Sequence, residues 1–356
     1  MDILSIVRQA AENETSDVHI ISSNPPLFRI DGAIQPAEGM EVLTSGDIDR
    51  AFQQITTEEQ KAEFERNMEL DFGYSVPGIG RIRCNAARER GSTSLVIRLL
   101  PSEVPTIDEL GLPSICKDLV LRPRGLVVVS GATGSGKSTT LNAMINHLNT
   151  SENRRIVTIE DPIEFVYTNK KSVITQRELG GDTHSFSEAL RHVLRQDPDV
   201  ILVGEMRDIE TASAVLTIAE TGHLIITTGH APSAPLAVER IIDMFPPHER
   251  DAARSRLASL LNGILCQSLV PKVGGKGRVA AIEILLANPA VRSNIREGKT
   301  YQLPNTMLTN ARAGMVLLDN ALVELFRGGI ISRESVFSFC NDQDETAKLV
   351  GTREQF

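Results

Sequence analysis

Apolar and polar positions alternate in short runs along the first hundred residues, and Gly-rich turns separate these runs. Some segments have every second position apolar, as strands do, and others have helical spacing. The strand segments are 16–22, 28–34, 69–76, 80–90 and 93–100, and the helical segments are 1–14 and 45–67. Thr44 or Ser45 is the expected N-cap of the second helix. The pattern predicts a small α+β domain over residues 1–100.

The pattern changes at about residue 114, where short runs of consecutive apolar positions alternate with helical stretches. These runs are 125–131, 154–161, 199–205 and 223–230. Such runs are typical of strands buried on both faces, so we expect a parallel sheet covered by helices. After residue 235 the spacing is mostly helical, including 248–270 and 314–329. The pattern predicts an α/β domain over 114–356, with C-terminal helices from about residue 280.

Residues 101–113 separate the two patterns. They hold three prolines and little periodicity, which is typical of an interdomain linker. Two domains also agree with the length of 356 residues, because one hydrophobic core seldom grows beyond about 250–300 residues.

Charge and cysteine usage disfavour several classes of protein. The net charge of −9 argues against a general nucleic-acid binder. The four cysteines form no Cys-x-x-Cys pair, so neither a zinc knuckle nor a dithiol redox site is indicated. No stretch approaches about 18 consecutive apolar residues, and the N-terminus lacks the basic start and apolar run of a signal peptide. We therefore expect a cytoplasmic protein with reduced, mostly buried thiols.

The segment "VVVSGATGSGKSTT" at 127–140 carries the clearest chemistry. Residues 131–138 fit G-x-x-x-x-G-K-[ST], with an apolar strand before them and a helix after them. Backbone N–H groups of such a loop approach phosphates closely, Lys137 can reach the β- and γ-phosphates, and Ser138 or Thr139 can offer a hydroxyl to Mg²⁺. The predicted nucleotide-binding residues are Gly131, Ala132, Thr133, Gly134, Ser135, Gly136, Lys137, Ser138 and Thr139. ATP and Mg²⁺ are the expected cofactors, although the motif alone also admits GTP.

Hydrolysis also requires carboxylates that hold Mg²⁺ and orient water, and two acidic clusters end predicted strands. The first supplies Glu160, Asp161 and Glu164, and the second supplies Glu205. Both are expected at the carboxyl edge of the sheet, where α/β proteins bind ligands. Helix capping is the alternative for some of them, such as Asp161 before a proline. His230, at the end of the last strand, is a candidate γ-phosphate sensor, although a lone histidine is more often structural.

An ordered set of motifs over nearly the whole chain resembles the secretion-superfamily ATPases, and most closely the twitching-motility (PilT-type) retraction ATPases of type IV pili. The motifs are "SDVHI", "FGYSVPGIGRIRCNA", "GATGSGKSTT", "TIEDPIEFV", "DPDVILVGEMRD", "AETGH" and "RIIDMFP". The resemblance implies a PAS-like N-terminal domain, a RecA-like C-terminal ATPase domain and a ring of six subunits. It also implies ATP-driven extraction of pilin at the inner-membrane platform.

The resemblance assigns roles to the candidate residues. "GATGSGKS" matches the Walker A motif, and "TIEDPIE" matches the Asp box, in which Glu164 would polarise water. "VGEMRD" matches the Walker B region, which would place Glu205 on Mg²⁺ together with Ser138. "GH" keeps His230 as the His-box histidine. Glu160 remains a further catalytic candidate.

Two arginines of the first domain, Arg81 and Arg83, match residues that the resemblance expects to reach the γ-phosphate of a neighbouring subunit. They are two positions apart on a predicted strand, so they share one face, with Ile82 on the other. Two guanidinium groups on one face suit bidentate contact with phosphate. A solvated basic face is the alternative, because exposed arginine is common.

The C-terminal segment "AVRSNIREGK" (290–299) resembles the signature of the retraction ATPases. The short chain, which lacks the four-cysteine insertion of assembly ATPases, agrees with that class. Two segments depart from the family pattern. Gly229, Ala231 and Pro232 replace Leu, Thr and Asn, and Ser293 and Asn294 replace Asn and Leu.

The leading prediction is a hexameric ATP-hydrolysing motor for type IV pilus retraction and twitching motility. It would be cytoplasmic and peripheral at the inner face of the cytoplasmic membrane, held by the platform protein and acting indirectly on pilin. The alternatives are an accessory PilU-like ATPase, a type IV secretion motor, and a ring subunit that binds ATP but turns over little. A DNA translocase is disfavoured by the acidic charge, and no nucleic-acid partner is expected.

Overall fold

A computed structural model describes residues 2–30, 32–100, 103–275 and 277–351. The chain forms two compact units. The first comprises residues 1–103 and 162–166, and the second comprises residues 104–161 and 167–356. The segment 101–113 therefore begins beside the boundary, and its role as a linker stays a prediction.

The first unit contains an antiparallel sheet with helices packed on it. Its described helices are α1 Ile3–Glu12, α2 Ser45–Ile55 and α3 Glu58–Asn67, and its described strands are β1 Asp17–Ile20, β2 Leu27–Ile30, β3 Ala33–Pro36, β4 Glu69–Val76, β5 Gly80–Glu89 and β6 Ser92–Leu99. The strand order is β3-β2-β1-β6-β5-β4. Alternate positions face one core, where Ile82, Leu95 and Ile97 are fully buried. The predicted α+β character is confirmed, and the PAS-like likeness stays a prediction.

Two sequence predictions in this unit are wrong. The segment 28–34 is not one strand, because β2 and β3 pair as antiparallel neighbours. The segment 45–67 is two helices, since Thr57 begins α3 with its own capping box. The Thr57 hydroxyl accepts the Gln60 N–H, and the Gln60 side chain accepts the Thr57 N–H. Thr44, the predicted N-cap, caps α2 in the same way.

The second unit is built on a seven-stranded sheet within the described residues. Its strands are β7 Gly125–Ser130, β8 Arg155–Glu160, β9 Val173–Glu178, β10 Val200–Val203, β11 Leu224–Thr228, β12 Leu261–Pro271 and β13 Arg278–Leu286. Their order is β13-β12-β7-β11-β10-β8-β9. All neighbouring pairs are parallel except β12 with β13.

Helices surround this sheet. They are α4 Ile115–Val120, α5 Lys137–Ser151, α6 Phe186–Val193, α7 Ile209–Glu220, α8 Ala234–Asp243, α9 Arg250–Leu260, α10 Pro289–Arg296, α11 Leu303–Thr309, α12 Leu318–Arg327, α13 Arg333–Phe339 and α14 Gln343–Gly351. Alternate residues of β7 enter different cores, with Val128 on one face and Val127 and Val129 on the other. The predicted α/β fold with a sheet buried on both faces is therefore confirmed.

The helix predicted over 248–270 is wrong from residue 261 onward. α9 ends at Leu260, and the apolar run that follows is β12, which lies between β7 and β13. Because β13 extends to Leu286, the C-terminal helices begin at Pro289 rather than near residue 280. A short apolar run with no alternation is compatible with either a buried strand or a buried helix. In this protein the run pairs with β7 and β13, so it is a strand.

Candidate functional site

The phosphate-loop motif lies at the carboxyl end of β7, a strand whose six residues are all buried. The loop spans residues 131–136, and α5 begins at Lys137. Its glycines have φ values of +144° at Gly131, +77° at Gly134 and +86° at Gly136, a region of backbone conformation that other residues seldom adopt. The loop therefore requires glycine at these three positions.

Lys137 lies over this loop. Its Nζ donates hydrogen bonds of 2.9 Å to the carbonyl oxygens of Gly131 and Ala132. Ser138 and Thr139 follow in the first turn of α5, where both are partly exposed. The ammonium group and two hydroxyls thus lie at the N-terminus of one helix, which itself favours anions.

The loop fits a phosphate group on a further observation. Ser135 is 6% exposed, and its hydroxyl has no hydrogen-bond partner among the described residues. A buried hydroxyl without a partner is costly, and a phosphate oxygen would be a suitable acceptor. A Cβ on Gly131 would lie 2.6 Å from this hydroxyl, so any larger residue at position 131 would collide with Ser135. Ala132, Thr133 and Gly134 are exposed and open to a ligand.

The ends of β10 and β11 bring two predicted residues together. Glu205 follows β10, and its carboxylate lies 3.4 Å from His230 Nε2, which follows β11. Arg207 Nε lies 2.6 Å from the other oxygen of Glu205. The Glu205 side chain is 13% exposed, against 40% for His230. The two strands are sheet neighbours, and β11 also pairs with β7. The sheet thus places this pair at the same edge as the phosphate loop.

The loop after β11 is tied to the end of β7. The Ser130 hydroxyl donates a 2.7 Å hydrogen bond to the Ala231 carbonyl oxygen. A Cβ on Gly229 would lie 3.1 Å from that hydroxyl, so a side chain here would press on it. A cavity of 380 Å³ lies beside this loop, and its lining includes Val128, Met206, Gly229, Ala237, Arg240 and Ile241.

Glu160, the last residue of β8, is 6% exposed and lies within a network of hydrogen bonds. Its Oε1 accepts hydrogen bonds from the Thr158 hydroxyl at 2.6 Å and the Gln176 amide at 3.1 Å. Burial and the charge of Glu160 raise the pKa of Tyr167 well above its ordinary value. The Tyr167 hydroxyl donates to Asn142 of α5. Gln176, which donates to Glu160, also accepts the Tyr167 N–H at 2.9 Å, so these contacts connect Glu160 with the helix that follows the phosphate loop.

Three predicted site residues belong to the first unit. Arg81 and Arg83 lie on β5 with Ile82 buried between them, so the predicted shared face is confirmed. Arg81 Nη1 donates to the Ser75 hydroxyl at 3.2 Å. Glu164 is partly buried in 162–166, outside any helix or strand. No helix begins at Asp161 or after it in this segment, so capping is not its role.

Sequence reasoning missed Gln267 of β12. Its side chain bonds both the Ser135 carbonyl oxygen and the Thr140 hydroxyl. Nothing in the local sequence marks it, because it is separated from the loop by more than 120 residues. A polar residue inside the buried run of β12 was the only available signal.

The described residues also bear on metal binding and on membrane insertion. They contain no group of three or more His, Cys, Asp or Glu side chains arranged to hold a metal ion. They also contain no helix with the length and hydropathy needed to cross a bilayer.

The fold and the phosphate loop define a P-loop ATPase. The chain belongs to the family described as Type II/IV secretion system protein, whose model matches residues 1–303. It is similar to the type IV pilus retraction ATPase PilT of Pseudomonas aeruginosa, with 44% identity over 94% of this chain and 97% of that one. It is also similar to the type IV pilus ATPase PilU of the same species, with 38% identity over 98% of this chain and 91% of that one.

A solved structure agrees with this assignment. A crystal structure of the pilus retraction motor PilT with bound ADP has a TM-score of 0.90 and 41% identity, covering 97% of this chain and 98% of that one. The secretion ATPase fold is therefore confirmed, and the chain binds nucleotide as an ATPase of this family.

Proposed function

We propose that this ATPase powers the retraction of a type IV pilus, and hence twitching motility. The observation that carries the proposal is the phosphate loop beside the Glu205–His230 pair, in a chain 44% identical to a pilus retraction ATPase. The loop binds the phosphates of the nucleotide, and the pair supplies a carboxylate and an imidazole for its hydrolysis.

The residues of the second unit divide the work at the nucleotide. Lys137 exchanges its bonds to loop carbonyls for the β- and γ-phosphates, and the loop N–H groups bind phosphate oxygens. Ser138 and Glu205 would hold Mg²⁺, and the ion would supply positive charge that neutralises the phosphates.

Water activation requires a base, and Glu164 is our candidate. Its position in a segment without regular structure suits a residue that must adjust to a ligand. Glu160 is buried with two hydrogen-bond donors on its carboxylate, so it positions neighbouring groups rather than taking a proton. His230 senses the γ-phosphate and relays its presence to Glu205.

The ring completes the site in this proposal. Six copies assemble, and Arg81 and Arg83 reach the γ-phosphate bound by the neighbouring copy. Their shared face on β5 supports a two-pronged contact with phosphate. An arginine supplied by the neighbour can contribute about 10³–10⁵ in rate, and it makes turnover depend on the closed interface. The ring docks on a platform protein at the inner face of the membrane and acts on pilin through it.

The first test separates binding from chemistry. Lys137→Ala should abolish hydrolysis, while Lys117→Ala, which removes a surface ion pair with Asp108, should not. Glu205→Gln should weaken binding of ATP only when Mg²⁺ is present, and exposed Glu210→Gln is its control. Glu164→Gln should keep Mg·ATP affinity and lose turnover. Identical binding defects in the Glu164 and Glu205 variants would contradict these roles.

The second test concerns the arginines. Arg81→Ala with Arg83→Ala should keep ATP binding and lose most turnover, and Arg66→Ala on α3 is the control. Mixing this double variant with Lys137→Ala should restore activity, because some interfaces then combine an intact loop with intact arginines. Mixed rings with no activity above either parent would refute the arrangement in trans.

The biological role is tested by deleting the gene. A retraction motor predicts more pili and lost surface motility, whereas an assembly motor predicts no pili. The likeness to PilU favours one second candidate, an accessory retraction ATPase. The altered loop at Gly229, Ala231 and Pro232 is compatible with reduced turnover, so low activity that rises with a partner ATPase would favour the accessory role.

A further inference from the structure

One buried side chain joins two parts of the phosphate site that are far from it in sequence. Gln267 Nε2 donates a 2.8 Å hydrogen bond to the Ser135 carbonyl oxygen, and Gln267 Oε1 accepts a 2.7 Å hydrogen bond from the Thr140 hydroxyl. Ser135 belongs to the loop, and Thr140 belongs to the first turns of α5. Gln267 therefore ties the loop to the helix that follows it.

The sheet fixes the position of Gln267. β12 runs parallel to β7, and their last paired residues are Cys266 and Ser130. Gln267 is the next residue on β12, so it lies beside the start of the loop. It is only 4% exposed. A buried amide is costly unless its donor and acceptor are both bonded, and here both ends bond the nucleotide site.

Two loop glycines are fitted around this residue. A Cβ on Gly136 would lie 2.8 Å from Gln267 Nε2, and a Cβ on Gly131 would overlap the Gln267 carbonyl oxygen. Because these glycines have no side chain, both a phosphate and β12 can approach the backbone of the loop closely. The loop has its shape partly because it packs against Gln267.

We propose that Gln267 is a positioning residue for nucleotide binding, which holds the phosphate loop in the shape that accepts a nucleoside di- or triphosphate. It acts through Ser135 and Thr140, and the inference rests on the proposed nucleotide site at residues 131–139.

The loss of Gln267 should weaken affinity more than turnover. Without its two bonds, the free loop populates other shapes, and the apparent Kd rises as the competent fraction falls. Two neutral hydrogen bonds of ordinary net strength correspond to a rise of about 5- to 150-fold in Kd. Bound nucleotide restores the loop shape, so kcat at saturating ATP changes far less than KM.

The variants isolate each bond. Gln267→Leu removes both bonds at similar volume, and Gln267→Glu keeps the acceptor for Thr140 but loses the donor to Ser135. Thr140→Val removes the helix-side bond from the other partner. Ser268→Ala is the matched control, because the neighbouring position on β12 points to the opposite face of the sheet.

The measurements are Kd for ADP by titration of the full chain, KM and kcat for ATP, and Tm without nucleotide. We expect a raised Kd and KM in the Gln267 and Thr140 variants, a nearly unchanged kcat, and wild-type values in Ser268→Ala. Unchanged Kd in the folded variants, or a loss confined to kcat, overturns the inference. If Gln267→Leu does not fold, Gln267→Glu and Thr140→Val decide by the same criteria.

Failure of the proposed site would look different. If the wild-type chain bound no ADP, or if Lys137→Ala bound it equally well, the nucleotide site itself would be misassigned. The inference about Gln267 would then fall together with the site. A raised Kd in the Gln267 variants, with strong dependence on Lys137, supports both.

Discussion

Replacing the buried Glu283 tests how two helices are held on the central sheet. Glu283 lies on β13 with 2% exposure. Its Oε1 accepts the Ala234 N–H at 2.6 Å, and its Oε2 accepts the Leu318 N–H at 3.2 Å. These N–H groups begin α8 and α12, so one carboxylate satisfies two helix N-termini.

The magnitude follows from the groups left behind. Glu283→Ala leaves two buried N–H groups without acceptors, at about 1–3 kcal/mol each, so we expect a loss of about 2–6 kcal/mol in the free energy of unfolding. Glu324→Ala is the control, because Glu324 is exposed and its carboxylate pairs with Arg327 three positions on. It should leave stability unchanged.

The pH dependence has a definite sign. Burial raises the pKa of Glu283 above 4.5, the two N–H groups oppose this, and the charge of Asp319 adds to it. Above pH 4.5 the folded chain therefore retains a proton that the unfolded chain has released. Stability consequently falls as pH rises from 4.5 through the folded pKa. Glu283→Gln removes this titration, so its stability relative to wild type should improve across that window.

Urea unfolding followed by circular dichroism at a series of pH values measures both effects. Parallel stability curves for wild type and Glu283→Gln above pH 4.5 would refute the argument about titration. An Ala variant as stable as the Glu324 control would refute the argument about the helix N-termini.

Three smaller changes test other contacts. Burial opposes ionisation of Asp17, but Arg98, Ser16 and Arg29 outweigh burial and lower the pKa of Asp17 below 3.8. Asp17→Asn should therefore lower the free energy of unfolding by about 1–3 kcal/mol at pH 7. Below pH 3.8 this cost should shrink, and a constant cost in urea titrations would contradict it. Thr57→Ala should cost about 0.5–2 kcal/mol in thermal unfolding through the lost cap, and no change in Tm would contradict the capping box. Gly229→Ala should stabilise the protein by about 0.4–1 kcal/mol, because alanine restricts the unfolded chain. The new Cβ would lie 3.1 Å from the Ser130 hydroxyl, and this contact offsets the gain, so we expect little change in Tm. A large fall in Tm would contradict this, because it would show that the Ser130 hydroxyl cannot move.

The phosphate loop was predictable because its chemistry is local. The motif places its glycines, Lys137 and a hydroxyl residue within eight positions, and the same stretch of sequence predicts the flanking strand and helix. The shared face of Arg81 and Arg83 was predictable for the same reason, since strand spacing alone fixes it.

Some errors arose where distant segments decide the structure. The run 261–271 reads equally well as helix or strand, and only its place beside β7 makes it β12. Gln267 and Glu283 could not be recognised as partners of the phosphate loop and of α8, because their contacts join residues far apart in the chain. The break between α2 and α3 was readable from Thr57 and Gln60, which form a capping box that the helical spacing obscured.

The bond from Gln267 to the phosphate loop has a consequence for the newborn chain. Ser135 is synthesised 132 residues before Gln267. At a synthesis rate of about 5–20 residues per second, the loop exists for about 7–26 s before Gln267 is added. During that interval all residues of the motif have been synthesised, but the hydrogen bond that holds the loop in its conformation has not formed. A nascent chain halted before residue 267 should therefore capture nucleotide poorly, and the ability to do so should arrive late in translation.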